Sequence, residues 1–208
     1  MGNLLLKKKP TPNESFHTEA IILGEPQSGK TLILYEITGG DFIKEDKAVE
    51  SNQFICKSIK LSSEFELSIW DCCGPRTFHS YHKNVLRSKA LSLIIYVIDT
   101  SDLNSIQVSK RNLWNLLDNP EYNQVFFLIY GSKCDVKNSL NTTGLRDYVE
   151  WKKLLKKRSN VHLQICSVIE QCGVKEGFEK FVEYFLDEDE RTPKTGFVIY
   201  ETEISKKS

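Results

Sequence analysis

EAIILGEPQSGKT, residues 19–31, decides the fold. Glu19–Leu23 is an apolar run of strand type. GEPQSGKT, residues 24–31, then matches the pattern G-x-x-x-x-G-K-[ST] at every fixed position. A strand that runs into a glycine-bearing loop and continues as a helix is the context in which this pattern cradles phosphate. The residue types have physical reasons. Gly24 and Gly29 let the backbone curl so that its N–H groups face one point, and Glu25, Pro26, Gln27 and Ser28 complete the loop between them. Lys30 reaches β- and γ-phosphates, Thr31 offers a hydroxyl to Mg²⁺, and the helix N-terminus adds its partial positive charge. A chance glycine-rich turn with an exposed lysine is the plain alternative, and the strand-loop-helix context argues against it. Alone, the loop says phosphate and leaves the base open.

Working outward, five more β-like runs alternate with helical patterns. Phe54–Leu61 and Phe65–Trp70 flank the polar Ser62-Ser63-Glu64 and read as a hairpin. Leu91–Ile98 and Val125–Tyr130 are unbroken apolar runs, as in strands covered on both faces. Val161–Cys166 alternates as a sixth strand. Leu103, Ile106, Leu113, Trp114 and Leu117 recur at helical spacing, so residues 102–118 are predicted as an amphipathic helix, with Lys110 the one polar intruder on its stripe. Val174, Phe178, Phe181, Val182 and Phe185 predict a second over 174–186, and a further helix is predicted near 143–157. The expectation is therefore an α/β fold of three layers. It has a six-stranded, mostly parallel sheet, one antiparallel edge strand, and ligand at the carboxyl ends of the strands. Residues 18–189 form the domain, and 1–17 and 190–208 are tails.

Bulk properties exclude several classes. With 28 basic and 28 acidic residues, no global field draws the chain to nucleic acid. No apolar run approaches the roughly 20 residues of a membrane span, and no secretory signal is expected, so a cytoplasmic protein is predicted. The six cysteines, Cys56, Cys72, Cys73, Cys134, Cys166 and Cys172, show no CxxC pairing and read as reduced packing residues.

A second motif addresses the base. GSKCD, residues 131–135, follows directly on the strand VFFLIY. Guanine-specific switch proteins carry Asn-Lys-x-Asp at this place, and here Ser132 stands first. The Asp135 carboxylate can accept from both donors on the guanine edge, which adenine does not offer together, and the Lys133 stem can lie along the ring. Three further segments fall into register. WDCCG, residues 70–74, supplies a D-x-x-G pattern, and LIIYVIDTSD (93–102) and QICSVIEQCGVKEGFEKF (164–181) follow. Together these resemble the Arf-like small GTPases of the Ras superfamily over roughly residues 18–186, and Trp70 before Asp71 favours that branch over the Rab and Ras branches. The resemblance implies a P-loop small-GTPase fold that binds GTP or GDP with Mg²⁺. It implies that Asp71 holds the metal through water, that the Gly74 amide senses the γ-phosphate, and that Ser167 and Val168 lie on the turn that meets the guanine oxygen. It also implies effectors recognised in the GTP state, an exchange factor, a GTPase-activating protein, and work in membrane trafficking.

The departures carry as much information. The catalytic glutamine of the family follows the D-x-x-G glycine, and here that position is Pro75. Proline has no polar side chain to orient the attacking water, so hydrolysis is predicted to be slow or dependent on an activating protein. Arg76 and His79 lie nearby as alternatives. The first-switch threonine, which binds Mg²⁺, falls by counting on Ser51, or on Asn52 if shifted by one. Ser132 for asparagine should weaken affinity more than base choice. These changes keep open a pseudo-GTPase scaffold, permanently GTP-bound or nucleotide-free. A P-loop kinase or ATPase would need an adenine site, against which SKCD speaks.

Gly2, exposed by removal of Met1, is a partial match to an N-myristoylation site, since Leu6 stands where Ser or Thr is preferred. Lys7-Lys8-Lys9 would reinforce such an anchor on anionic lipid, making the protein peripheral on a membrane. A frayed, solvated basic tail is the alternative. The segment 195–205 contains a strand-like patch that could dock on the domain or on a partner.

Overall fold

LSLIIYVID, residues Leu91–Asp99, is buried at all nine positions and forms the middle of the sheet. The structure is a computed structural model, and it describes residues 16–40, 55–71, 84–186 and 200–201. In chain order its first half holds β1 (Phe16–Gly24), α1 (Lys30–Thr38), β2 (Ile55–Lys60), β3 (Phe65–Asp71), β4 (Leu91–Asp99) and α2 (Leu103–Leu117). The second half holds β5 (Phe126–Ser132), α3 (Thr142–Tyr148), α4 (Trp151–Lys157), β6 (Val161–Ile165), α5 (Val174–Phe185) and the two-residue β7 (Tyr200–Glu201).

Six strands run in the order β2-β3-β1-β4-β5-β6. β2 is antiparallel to β3, and the other neighbours are parallel. This is the mostly parallel α/β sheet with one antiparallel edge strand expected from the alternation of strands and helices. Because residues alternate faces along a strand, β4 feeds two cores. Leu93, Ile95 and Val97 join Ile33 and Leu34 of α1 and Phe178, Phe181 and Phe185 of α5 on one face. Ile94, Tyr96 and Ile98 join Ile106, Leu113 and Leu117 of α2, with Leu145 and Leu154, on the other.

Two features differ from expectation. The helix predicted near 143–157 is two helices, separated where Glu150 takes a left-handed backbone (φ 59°, ψ 47°). The break is held from outside: the Lys110 ammonium lies 2.7 Å from the Glu150 carboxylate, and the Trp114 indole N–H donates to the Val149 carbonyl at 3.3 Å. Lys110, the polar intruder on α2, thus has its partner on the next helix pair. The second difference is at the chain ends. β1 begins at Phe16, two residues inside the stretch read as tail, and Tyr200–Glu201 pairs antiparallel with His17 and Phe16 as a seventh strand. That edge of β1 is open to it because β4 joins β1 only from Glu19 onward. At least these two residues of the 195–205 patch therefore dock on the domain itself.

α5 contributes an aromatic face, Phe178, Phe181 and Phe185, to its core. Phe181 is fully buried, with Phe126, Phe178 and Phe185 rings around it at 5.4–5.8 Å between centroids. Phe181→Ala is expected to cost about 3–5 kcal/mol, from lost transfer energy plus a cavity that the sheet cannot close. The lowered midpoint of urea unfolding would measure it.

Candidate functional site

Five parallel strands place their carboxyl ends on one edge, and the segments singled out above leave from that edge. At β1, Gly24 has φ 147°, Gln27 φ 62° and Gly29 φ 92°, three positive values that curl the loop back on itself. A Cβ at Gly24 would collide with the Val97 carbonyl of β4, so glycine is required there by space as well as by φ. α1 starts at Lys30 with no side chain capping its first turn, which leaves the N-terminal N–H groups directed at the loop's centre. The Lys30 ammonium folds over the loop and donates to the carbonyls of Gly24 (3.1 Å) and Glu25 (2.8 Å).

Asp71 ends β3 in register with Ile22 and is fully buried. The Thr31 hydroxyl donates to its Oδ2 at 2.6 Å. A hydroxyl and a carboxylate at this separation, both hard oxygen ligands, fit a Mg²⁺ site of the kind that takes few protein ligands and completes its shell with phosphate and water. Ser51, Gly74 and Pro75 lie outside the described residues, as do Asn52, Arg76, His79, Gly2 and Lys7–Lys9.

Ser132, the departure at the head of the base loop, is buried, and its hydroxyl lies 2.7 Å from the Ser28 carbonyl and 3.1 Å from that of Ile98. The nearer bond ties the base loop to the phosphate loop. A short hydroxyl side chain is thus enough to make this tie. Lys133 adopts φ 60° and pairs with Asp99 Oδ2 at 2.6 Å. Asp99 in turn accepts from the Ser101 amide (2.9 Å) and hydroxyl (2.6 Å). Burial pushes the Asp99 carboxyl up, but Lys133 and the Ser101 bonds outweigh it and hold its pKa below the ordinary carboxylate value. Asp135 is exposed at the rim. The Cys166 amide donates to Gly131 (2.8 Å) and the Cys134 amide to Cys166 (3.3 Å), which brings the 166–172 loop beside the base loop. Between these loops and α1 lies a cleft of ≈ 100 Å³ with Gly29, Lys133, Asp135, Ser167, Val168 and Ile169 among its walls.

The structure thus gathers residues 24–31, Asp71, Ser132, Lys133, Asp135, Ser167 and Val168 on one edge. Three contributors carried no sequence assignment. Asp99 orients Lys133. Asn112 on α2 donates to the Glu25 carboxylate at 2.8 Å, anchoring the phosphate loop from outside. Ile169, 78% exposed, stands at the mouth of the cleft. Their position at strand ends or facing the loop is the only signal they carry, and it becomes visible only once the strands are ordered.

The model of the ADP-ribosylation factor family matches residues 5–185. ADP-ribosylation factor-like protein 2 of Dictyostelium discoideum is 28% identical over 182 residues, covering 86% of this chain and 92% of its own length. The protein of that name from Arabidopsis thaliana is 29% identical over 197 residues, covering 90% of this chain and 100% of its own. Among solved structures, the Arl6 BBS3 small GTPase of Trypanosoma brucei with bound nucleotide analogue GppNp superimposes with a TM-score of 0.66 at 17% identity. That match covers 80% of this chain and 96% of the other.

Two measurements test the geometry. Ser132→Ala leaves the buried Ser28 carbonyl without its nearest donor and is expected to lower stability by about 1–3 kcal/mol, read by thermal unfolding, with Ser132→Thr retaining most of it. Asp99 has a folded pKa below its unfolded one. Its contribution is therefore complete above the unfolded value and lost as pH falls through the folded one. Asp99→Asn should accordingly flatten the acid limb of the stability curve below about pH 4, and leave its slope at neutral pH unchanged.

Proposed function

This chain belongs to the ADP-ribosylation factor family, and from that premise we propose that it is a guanine-nucleotide switch with slow GTP hydrolysis that recruits effectors in its GTP state. The observation that carries the reading is the hydrogen bond from Ser132 to the Ser28 carbonyl. It joins the phosphate loop to the base loop directly, and it does so despite the loss of the usual asparagine.

In this reading the loop amides and the Lys30 ammonium neutralise the phosphates. Thr31 and Ser51 would hold Mg²⁺ directly and Asp71 through water, and the ion would offset charge on the β- and γ-phosphates. Asp135 accepts from the guanine edge, and the Lys133 stem, steadied by Asp99, lies along one ring face. Backbone of Ser167 and Val168 faces the guanine oxygen, and the Gly74 amide reports the γ-phosphate. Pro75 gives the attacking water no side chain to orient it, so turnover waits on an activating protein or is very slow. Effectors, an exchange factor and an activating protein are the partners that such a cycle requires. Gly2 acylation with Lys7–Lys9 would hold the switch on a membrane, where a trafficking role would be exercised.

Pro75 also favours a second reading, a scaffold of the same fold that holds GTP permanently or holds nothing. Denaturing freshly purified protein and identifying the released nucleotide separates the two. GDP, or GTP that is cleaved in a single turnover, near one per chain supports the switch, whereas GTP that stays uncleaved, or a protein that stays empty after incubation with GTP and Mg²⁺, supports the scaffold. Adenine nucleotide would overturn both. In single-turnover assays Pro75→Gln should raise GTP cleavage by roughly 100–1,000-fold, the scale associated with one positioned transition-state group. An unchanged rate would show that residue 75 is not what limits it.

A further inference from the structure

Three of the four cysteines among the described residues meet at the base end of the site. Cys134 sits between Lys133 and Asp135, while Cys166 and Cys172 bracket the loop that carries Ser167 and Val168. Backbone bonds hold the three segments together. The Cys134 amide donates to Cys166, and Ser167 and Cys172 exchange two N–H···O bonds of 3.0 Å. The Ser167–Cys172 bridge and the Cys134–Cys166 bond together place Cys134 and Cys172 on adjoining turns, both as free thiols. Cys172 is exposed, Cys134 half-buried and Cys166 buried. Burial pushes the Cys166 thiol far up and so leaves it as a packing group. Burial also raises the Cys134 thiol, and exposure makes Cys172 the first to meet an oxidant. Among the described residues no three metal-ligating side chains converge, so the chemistry open to this pair is that of two thiols.

We propose that Cys134 and Cys172 form an oxidisable pair, closed to a disulfide by peroxides, that staples the base loop to the 166–172 loop and slows nucleotide release. The Cys172 thiolate attacks one oxygen of hydrogen peroxide, the O–O bond breaks, and the departing hydroxide takes a proton to leave as water. Cys172 is then a sulfenic acid. Cys134 gives its proton to the departing oxygen and attacks the Cys172 sulfur, and the S–O bond breaks to release a second water. Two thiols lose two electrons and two protons, and one peroxide becomes two waters. The consequence follows from position. Both loops flank the cleft in which the base is read, and a base leaves such a cleft when its walls part. A covalent link between the walls removes that freedom, and a thiol reductant restores it.

The chemistry of the pair stands on its own geometry, whereas its effect on release rests on the guanine-nucleotide reading. The test loads the full chain with a fluorescent GDP analogue, treats half with hydrogen peroxide, and follows release into excess GDP. Peptide mapping runs on the same samples. A mapped Cys134–Cys172 link with release slowed roughly fivefold or more, reversed by dithiothreitol, is the expected result. Cys172→Ser and Cys134→Ser should each release at their own untreated rates after peroxide. A link that maps elsewhere, or a Cys134–Cys172 link with unchanged release, overturns the proposal. A chain that takes up no GDP overturns the switch reading and with it the effect on release, and the mapped link then decides the thiol pair by itself.

Discussion

Gly24 passes so close to the Val97 carbonyl that no side chain fits between them, and the site is built outward from that contact. β1 lies between β3 and β4, with Ile22 beside Asp71 on one side and Gly24 beside Val97 on the other. The first pairing places a buried carboxylate within 2.6 Å of the first turn of α1. The second turns the chain away from the sheet at the point where the loop must curl. A side chain at Gly24 would push β1 off β4 and change both distances together. The phosphate loop is therefore less a flexible ribbon than an extension of the strand register.

The base side follows a different logic. Its parts come from three strand ends, β4, β5 and β6, and they are joined by polar bonds in a mostly buried setting. Asp99 pairs with Ser132 in register, the Thr100 hydroxyl donates to the Ser132 carbonyl at 2.7 Å, and the Ser132 hydroxyl reaches Ser28. Asp99, Thr100 and the Ser132 hydroxyl each have a partner, which is the condition under which a buried polar network stabilises rather than costs. Lys133 shows the same economy. Its ammonium lies against Asp99, and a positive φ sends its stem toward the cleft. Charge pairing at the back of the loop and base reading at the front thus use one residue.

What could be read from the chain divides along physical lines. The phosphate loop was legible because its chemistry restricts residue types at fixed positions, so GEPQSGKT has few other uses. β4 and β5 were legible because full burial leaves an unbroken apolar run. The break at Glu150 was not, because it is caused by Lys110 and Trp114 on another helix, and a local pattern over 143–157 carries no trace of them. The tie from Ser132 to Ser28 was not legible either, since residue type alone hides whether a short hydroxyl can reach an acceptor. Here the closeness of β5 to the phosphate loop lets it. Asp99, Asn112 and Ile169 carry no motif, and their roles come entirely from strand order. The two-residue pairing of Tyr200–Glu201 depends on β4 joining β1 late, a register detail that no composition signals.

The division of labour among the strands also bears on how far such a chain can diverge. In the proposed switch, phosphate contacts come from β1 and α1 and base contacts from β5 and β6, whereas Pro75 follows β3 in the sequence. Binding and cleavage would then hang on different strands, and such a chain could lose the residue that times hydrolysis while keeping the pocket that selects the nucleotide. The same separation holds for the Cys134–Cys172 pair, which sits on the base side. A covalent change there alters how long a nucleotide stays, not how fast it is cut, so two controls of one cycle can evolve independently on one sheet.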